Sequence, residues 1–307
     1  MPYSAEIKRG NPGLFVFLVD QSGSMKRGWG SQPKSLSQGT ADAINNLLEN
    51  IVIRSTASEG VRHYFDIGLI GYGLGSKVTS ALSSRSLDQM PVSVSDFADT
   101  KTEERWREVE DGTGGLVKEK IRVPVWIDPV ADGNTPMCEA LDRCHEMVSK
   151  WITANQSSFP PIVINITDGE ATDGNPETNA EKIRNLSTSD GNVLLFNLHI
   201  SPVTATTQIT FPSIDDSFND PYAKMLFRMS SPLPQVISEQ AKQEGLALDN
   251  NAKGFVFNST LTTLIKAVDI GTRKARESTA EAIETFPPLT DESTMLDVDT
   301  KPTNDGY

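Results

Sequence analysis

Leu14–Met25 reads LFVFLVDQSGSM, and its two halves follow different rules. Six consecutive apolar, β-prone residues, Leu14 to Val19, are too few for a buried helix and describe a strand covered on both faces, as in a parallel sheet. The residues after it, Asp20-Gln21-Ser22-Gly23-Ser24, set short oxygen-bearing side chains at alternate positions, while Gly23 permits a tight turn. One carboxylate and two hydroxyls outline a hard-cation site, but they are too few ligands and too little charge for an octahedral Mg²⁺. The pattern therefore calls for more oxygens from elsewhere in the chain and from water. Two segments offer them. Asp132-Gly133-Asn134-Thr135-Pro136-Met137 places Thr135 just before a helix, and the run IVINITDGE from Ile162 to Glu170 places Asp168 at the end of a second buried strand.

Together these residues resemble a von Willebrand factor A (VWA) domain with a complete metal-ion-dependent adhesion site. The D-x-S-x-S of that family matches Asp20, Ser22 and Ser24, its distal threonine matches Thr135, and the aspartate of its strand-end T-D-G matches Asp168. The resemblance covers roughly Asn11 to Arg276. Within it, GNTPM followed by a helix, and TDGEATDG, look most like cytosolic bacterial VWA proteins of the tellurium-resistance and stress-associated group. The resemblance implies a Rossmann-like, doubly wound α/β fold, with a mostly parallel sheet, one antiparallel edge strand and helices on both faces. It also implies a ligand set. Ser22, Ser24 and Thr135 would contact the ion directly, Asp20 and Asp168 would act directly or through water, and an Asp or Glu from a protein partner would fill the open position. Mg²⁺ is the implied ion, with Mn²⁺ and Ca²⁺ left open.

Composition fits that reading. At 307 residues, 37% hydrophobic and 22% charged, the chain suits one enlarged globular α/β domain. Its 28 basic and 41 acidic residues give a net charge of −13, which disfavours attraction to a phosphate backbone, so nucleic acid is not an expected partner. Met1 to Glu6 show no charged segment leading into an apolar stretch, and nowhere do about 18 apolar residues run together, so no membrane role and a cytoplasmic location are expected. Cys138 and Cys144 lie six apart on a predicted helix, about 9 Å along its axis, beyond the usual reach of a disulfide. Small buried residues on a helix face is the simpler account of both.

In chain order, residues 1–13 form a polar lead-in and 14–283 a single domain with insertions at about 76–127 and 201–252. The remainder, 284–307, is an acidic tail whose low hydrophobicity predicts disorder; a tail carboxylate completing the metal shell of another copy is a sharper alternative. The glycine-rich loop from Lys26 to Lys34 carries Trp29 beside the predicted ion, where it either folds onto the next helix or helps grip a partner. Leu36, Ile44, Leu47, Leu48, Ile51 and Val52 recur at helical spacing. His63 to Tyr72 reads as a strand, and the glycines after it as a strand-end turn rather than a phosphate cradle. Within the first insertion, Val78 to Leu82 suits an antiparallel edge, Asp96 to Glu110 a short charged helix, and Ile121 to Ile127 an extended segment whose Pro124 belongs at an edge. Beyond Thr135, helices are expected to Ile152, from Pro176 to Leu186, around Tyr222 to Arg228 and Gln235 to Glu244, and after Ser259 or Thr260. Strands are expected at Pro161 to Thr167, Asn192 to Ile200 and Gly254 to Phe257. His199 reads as a core histidine, and His63 and His145 have no companions at metal spacing.

Two function classes remain open. One is a metal-dependent protein-interaction module or scaffold, not an enzyme, which the resemblance places in bacterial multi-protein systems, sometimes with kinases, phosphatases or ring ATPases. The alternative is a metal-dependent hydrolase or phosphotransferase, for which Glu170 or Asp173 are the only nearby candidates for a base. Neither has a histidine beside it in sequence, and Ser22 has no activating base. An extracellular adhesin would share the ion chemistry but would want a leader or an anchor.

Overall fold

The computed structural model describes residues 2–29, 34–98, 100–110, 116–201, 208–215 and 219–258, together with Met295–Leu296; the side chains of 106–110, 116 and 295–296 lie outside that description. The Leu14–Val19 run is the centre of a sheet. Strand β1 (Gly13–Asp20) is buried along its whole length. It pairs in parallel with β2 (Phe65–Tyr72) on one side, in register from Gly13↔Phe65 to Asp20↔Tyr72. Antiparallel strands β3 (Val78–Ser80) and β4 (Val92–Ser93) flank β2 at the edge, so the expected antiparallel edge is present. A hairpin of β5 (Lys101–Glu110) and β6 (Leu116–Val125) forms a separate sheet. On the other side of β1 come β7 (Ile162–Thr167), then β8 (Leu194–His199), both parallel. Short antiparallel β9 (Ile209–Thr210) pairs with β10 (Phe255–Phe257), which runs parallel to β8, giving the order β9-β10-β8-β7-β1-β2-β3.

Side chains alternate across a strand, and β1 shows what that alternation does here. Phe15, Phe17 and Val19 enter one apolar cluster with Leu36, Ile44, Leu47, Leu48 and Ile51 of α1 (Leu36–Ser55). Leu14, Val16 and Leu18 enter a second cluster with Met137, Leu141, Cys144 and Val148 of α2 (Met137–Ala154), and with residues of α3 (Glu177–Asn185) and α4 (Pro221–Met229). Ile237 and Ala241 of α5 (Gln235–Gln243) return to the first cluster. Helices therefore cover both faces of a mostly parallel sheet. Each buried apolar side chain from Leu14 to Val19 contributes roughly 1.5–3 kcal/mol relative to exposure, before the chain entropy that offsets it.

One expectation needs correction. Asp96 to Glu110 is not a helix: Val94–Phe97 is one 3₁₀ turn, and Lys101–Glu110 is half of the hairpin. Opposed charges favour the pairing where it is described: Glu104 stands opposite Arg122 in the ladder and its carboxylate lies 3.3 Å from Lys120 Nζ. Pro124 lies on β6, which among the described residues pairs only with β5, as an edge position requires. Of the two readings of Trp29 the first holds, that it folds onto the following helix: it is 4% exposed and lies so close to Gly39 of α1 that a Cβ there would collide with its ring. The predicted helix after Ser259 and the tail lie outside the described residues, apart from Met295–Leu296, which pair antiparallel with Trp106 and Arg107.

Candidate metal centre

The geometry begins at the carboxyl ends of β1 and β7. Their register pairs Val19 with Ile166, so Asp20 and Thr167 come next to each other across the seam. Asp20 is 1% exposed. Its Oδ1 accepts the Ser22 amide at 2.9 Å, and its Oδ2 accepts the Thr167 hydroxyl at 2.6 Å. The Ser22 and Ser24 hydroxyls stand 2.9 Å apart, so the D-x-S-x-S turn brings its oxygens to one side. Burial pushes the Asp20 carboxyl up to about 6, the Asp168 charge adds to that, and the bonds from Ser22 and Thr167 oppose it.

The other two segments are laced to this turn through backbone. Gly23 donates its N–H to Gly133 O at 2.9 Å, and Asp132 donates to Gln21 O at 2.7 Å, fixing the Asp132–Thr135 loop against it. Gly73, after β2, also packs here: a Cβ at φ +137 would strike the Gln21–Ser22 backbone, so only glycine fits. Thr135, buried at 4%, donates its N–H to Thr172 Oγ1 and accepts the Thr172 N–H at its carbonyl, both at 3.0 Å. That ties the Thr135 loop to the loop carrying Asp168. Asp20, Ser22, Ser24, Thr135 and Asp168 thus stand on loops gathered at one end of the parallel strands, where open α/β sheets place their ligand crevice.

Several participants had no signal in the pattern of the sequence. Arg27 Nη2 donates to Asp168 Oδ2 at 2.6 Å, and its Nε donates to the Ser24 carbonyl at 3.1 Å. Asp173 accepts the N–H groups of Cys138 and Glu139, both at 3.0 Å, and so caps the start of α2. Asp173, one of the two candidate bases, is committed to that cap. Glu170 is exposed. His199, buried as expected, stacks on Phe257 at 5.1 Å; its Nδ1 has no hydrogen-bond partner among the described residues, and burial holds its pKa below the ordinary value. Cys138 and Cys144 are free thiols, and burial pushes both up, Cys138 to about 12 with Asp173 adding to the shift.

The oxygens available here are two carboxylates and three hydroxyls, a donor set suited to a hard divalent cation completed by water. Among the described residues no three His, Cys, Asp or Glu side chains cluster to hold a metal. An ion bound here would therefore rest on hydroxyls as much as on carboxylates. The raised Asp20 carboxyl fits such an ion, because two acids share a buried corner whose charge a divalent cation would offset.

No protein-family profile matches the chain, and no curated protein sequence is significantly similar to it. Solved structures that resemble it include manganese-loaded TRAP protein of Plasmodium vivax, 13% identical with a TM-score of 0.38, covering 84% of this chain and 72% of that one. The pilus adhesin SpaC of Lactobacillus rhamnosus GG is 12% identical with a TM-score of 0.40, covering 90% of this chain and 32% of that one. Three N-terminal domains of the type V pili tip protein Mfa5 of Porphyromonas gingivalis are 12% identical with a TM-score of 0.29, covering 52% and 20%. The chain spans less than two thirds of the length of either pilus protein. At these levels the likenesses say nothing about individual residues. No helix among the described residues is long and apolar enough to cross a membrane.

Proposed function

We propose that this protein is a VWA-type, metal-dependent interaction module. A divalent cation, Mg²⁺ first and Mn²⁺ or Ca²⁺ in its place, is held by Ser22, Ser24 and Thr135, with Asp20 and Asp168 binding directly or through water. A partner's Asp or Glu completes its shell. The observation that carries this reading is the backbone lacing of the three loops, Gly23 to Gly133, Asp132 to Gln21 and Thr135 to Thr172, which holds the five residues at one end of the sheet. With only two protein carboxylates the ion stays electron-poor, so an incoming carboxylate gains a strong charge-assisted bond.

Binding rather than catalysis is the reading favoured here: Asp173, one of the two candidate bases, is taken up by the amides at the start of α2. The D-x-S-x-S, GNTPM and TDGEATDG wording supports a cytoplasmic scaffold role in a bacterial multi-protein stress or defence system, with kinase, phosphatase or ATPase-associated proteins as partners. Calorimetric titration of Mg²⁺ and Mn²⁺ into chelator-stripped protein, against an Asp20→Ala/Ser22→Ala double variant, tests it. One ion bound by the wild type and none by the folded variant supports the reading. No ion bound by either removes it.

A further inference from the structure

Arg27 is the one described cation bonded to the proposed ion site, and its placement is specific. Its guanidinium is clamped at two points, by the Ser24 carbonyl at 3.1 Å and by Asp168 Oδ2 at 2.6 Å. Asp168 is 4% exposed at its side chain and Arg27 54%, so a solvent-facing side chain reaches in over a buried acid. The two anchors belong to different segments of the site, the turn after β1 and the loop after β7. A guanidinium keeps its charge at every accessible pH, and its planar fork suits this double contact in a way an ammonium does not.

From this geometry we infer that Arg27 is an internal counter-cation that occupies Asp168 in the ion-free protein and must leave that carboxylate when a divalent ion enters. Arg27 thus sets the affinity and the salt sensitivity of ion binding. It holds the site together without metal, and each ion bound carries the cost of displacing it and of the remaining like-charge repulsion. Because its side chain is half exposed, it can swing outward to the rim of the site, beside the position proposed for the partner's carboxylate. This rests on the metal-binding reading above, but it makes a separate claim about Arg27.

The test is Mn²⁺ and Mg²⁺ titration by calorimetry at 50 and 300 mM NaCl on stripped wild type, Arg27→Gln and Arg27→Lys, with circular dichroism confirming that all three fold. Removing one nearby like charge should tighten ion binding by about tenfold in Arg27→Gln, with the gap narrowing at high salt as screening grows. Arg27→Lys, which keeps the charge but loses the fork, should fall between the two. Equal affinities within a factor of two would overturn the role of Arg27 and leave the metal site standing. No ion bound by any of the three proteins would overturn both.

Discussion

The Thr167 hydroxyl donates to Asp20 Oδ2 at 2.6 Å across the join between two parallel strands, 147 residues apart in sequence. With the Ser22 amide on Oδ1, this leaves Asp20 hydrogen-bonded yet short of charge, because its electrostatic neighbour is another acid, Asp168. A strand end that buries a carboxylate beside a second one stores instability at Asp20, since Arg27 pairs with Asp168 and not with it.

That instability has a sign in pH. The Asp20 carboxyl rises from 3.8 to about 6 on folding, so between those values the folded state holds a proton that the unfolded state has released. The group favours folding at low pH and loses that favour as pH climbs through about 4 to 6, by up to about 3 kcal/mol. In chelator, Asp20→Asn should therefore be more stable than wild type at pH 7.5, with the gap closing towards pH 4. Urea melts across that range measure it. Adding Mg²⁺ at pH 7.5 should reverse the order. A variant that is less stable than wild type at pH 7.5 in chelator would contradict the account.

The fold was legible where one physical signal dominated. Leu14 to Val19 is a continuous apolar run ended by Asp20, and Leu36, Ile44, Leu47 and Ile51 carry a clean helical period; both elements stand where these patterns put them. The hairpin was not legible, because Lys101–Glu110 has charges on both faces and no apolar side to show a period of two. Its stability comes from partners on β6, which a local window does not contain. The five candidate ligands were found through spacing and family wording. Arg27 on Asp168, Thr167 on Asp20 and Asp173 on the α2 amides are contacts between distant segments, and a single sequence carries no mark of such pairing.

Gly39 inverts an ordinary rule. Glycine-to-alanine in a helix interior usually gains about 1 kcal/mol. Here the new methyl would overlap the Trp29 ring, which is buried between the metal loop and α1. Gly39→Ala should instead destabilise by about 1–2 kcal/mol as the indole is forced out, and tryptophan emission should shift to the red before global unfolding. A raised melting temperature with unchanged emission would show that the contact is easily relieved.

Arg105 fastens the hairpin to α1. Its Nη1 lies 2.6 Å from Asp42 Oδ1, while Lys34 and Gln38 hold the same carboxylate at 2.9 and 3.0 Å. Arg105→Leu removes one of two cations from a nearly buried acid, at a cost of about 1–2 kcal/mol because Lys34 remains. Hydrogen exchange should quicken along 101–110 and 116–125 and stay unchanged in β1 and β7. Uniform quickening across the domain would mean that the hairpin is not a separate unit.

A buried polar chain crosses the second core. Tyr72 donates to Asn165 Oδ1 at 2.7 Å, Asn165 to Asn197 Oδ1 at 2.9 Å, Asn197 to Ser230 Oγ at 3.0 Å, and Ser230 to the Leu226 carbonyl of α4 at 2.8 Å. Tyr72, Asn165, Asn197 and Ser230 are all fully buried, so every link is needed to satisfy the next. Tyr72→Phe strands the Asn165 oxygen and should cost about 1–3 kcal/mol, although the ring is preserved. In an Asn165→Leu background the acceptor is gone and no Asn165 oxygen is left to strand, while Thr167 still bonds the Tyr72 hydroxyl, so the same substitution should cost less. Chemical denaturation of the four proteins in this cycle measures the coupling; a Tyr72→Phe cost that is the same in both backgrounds would show that the chain does not act as one.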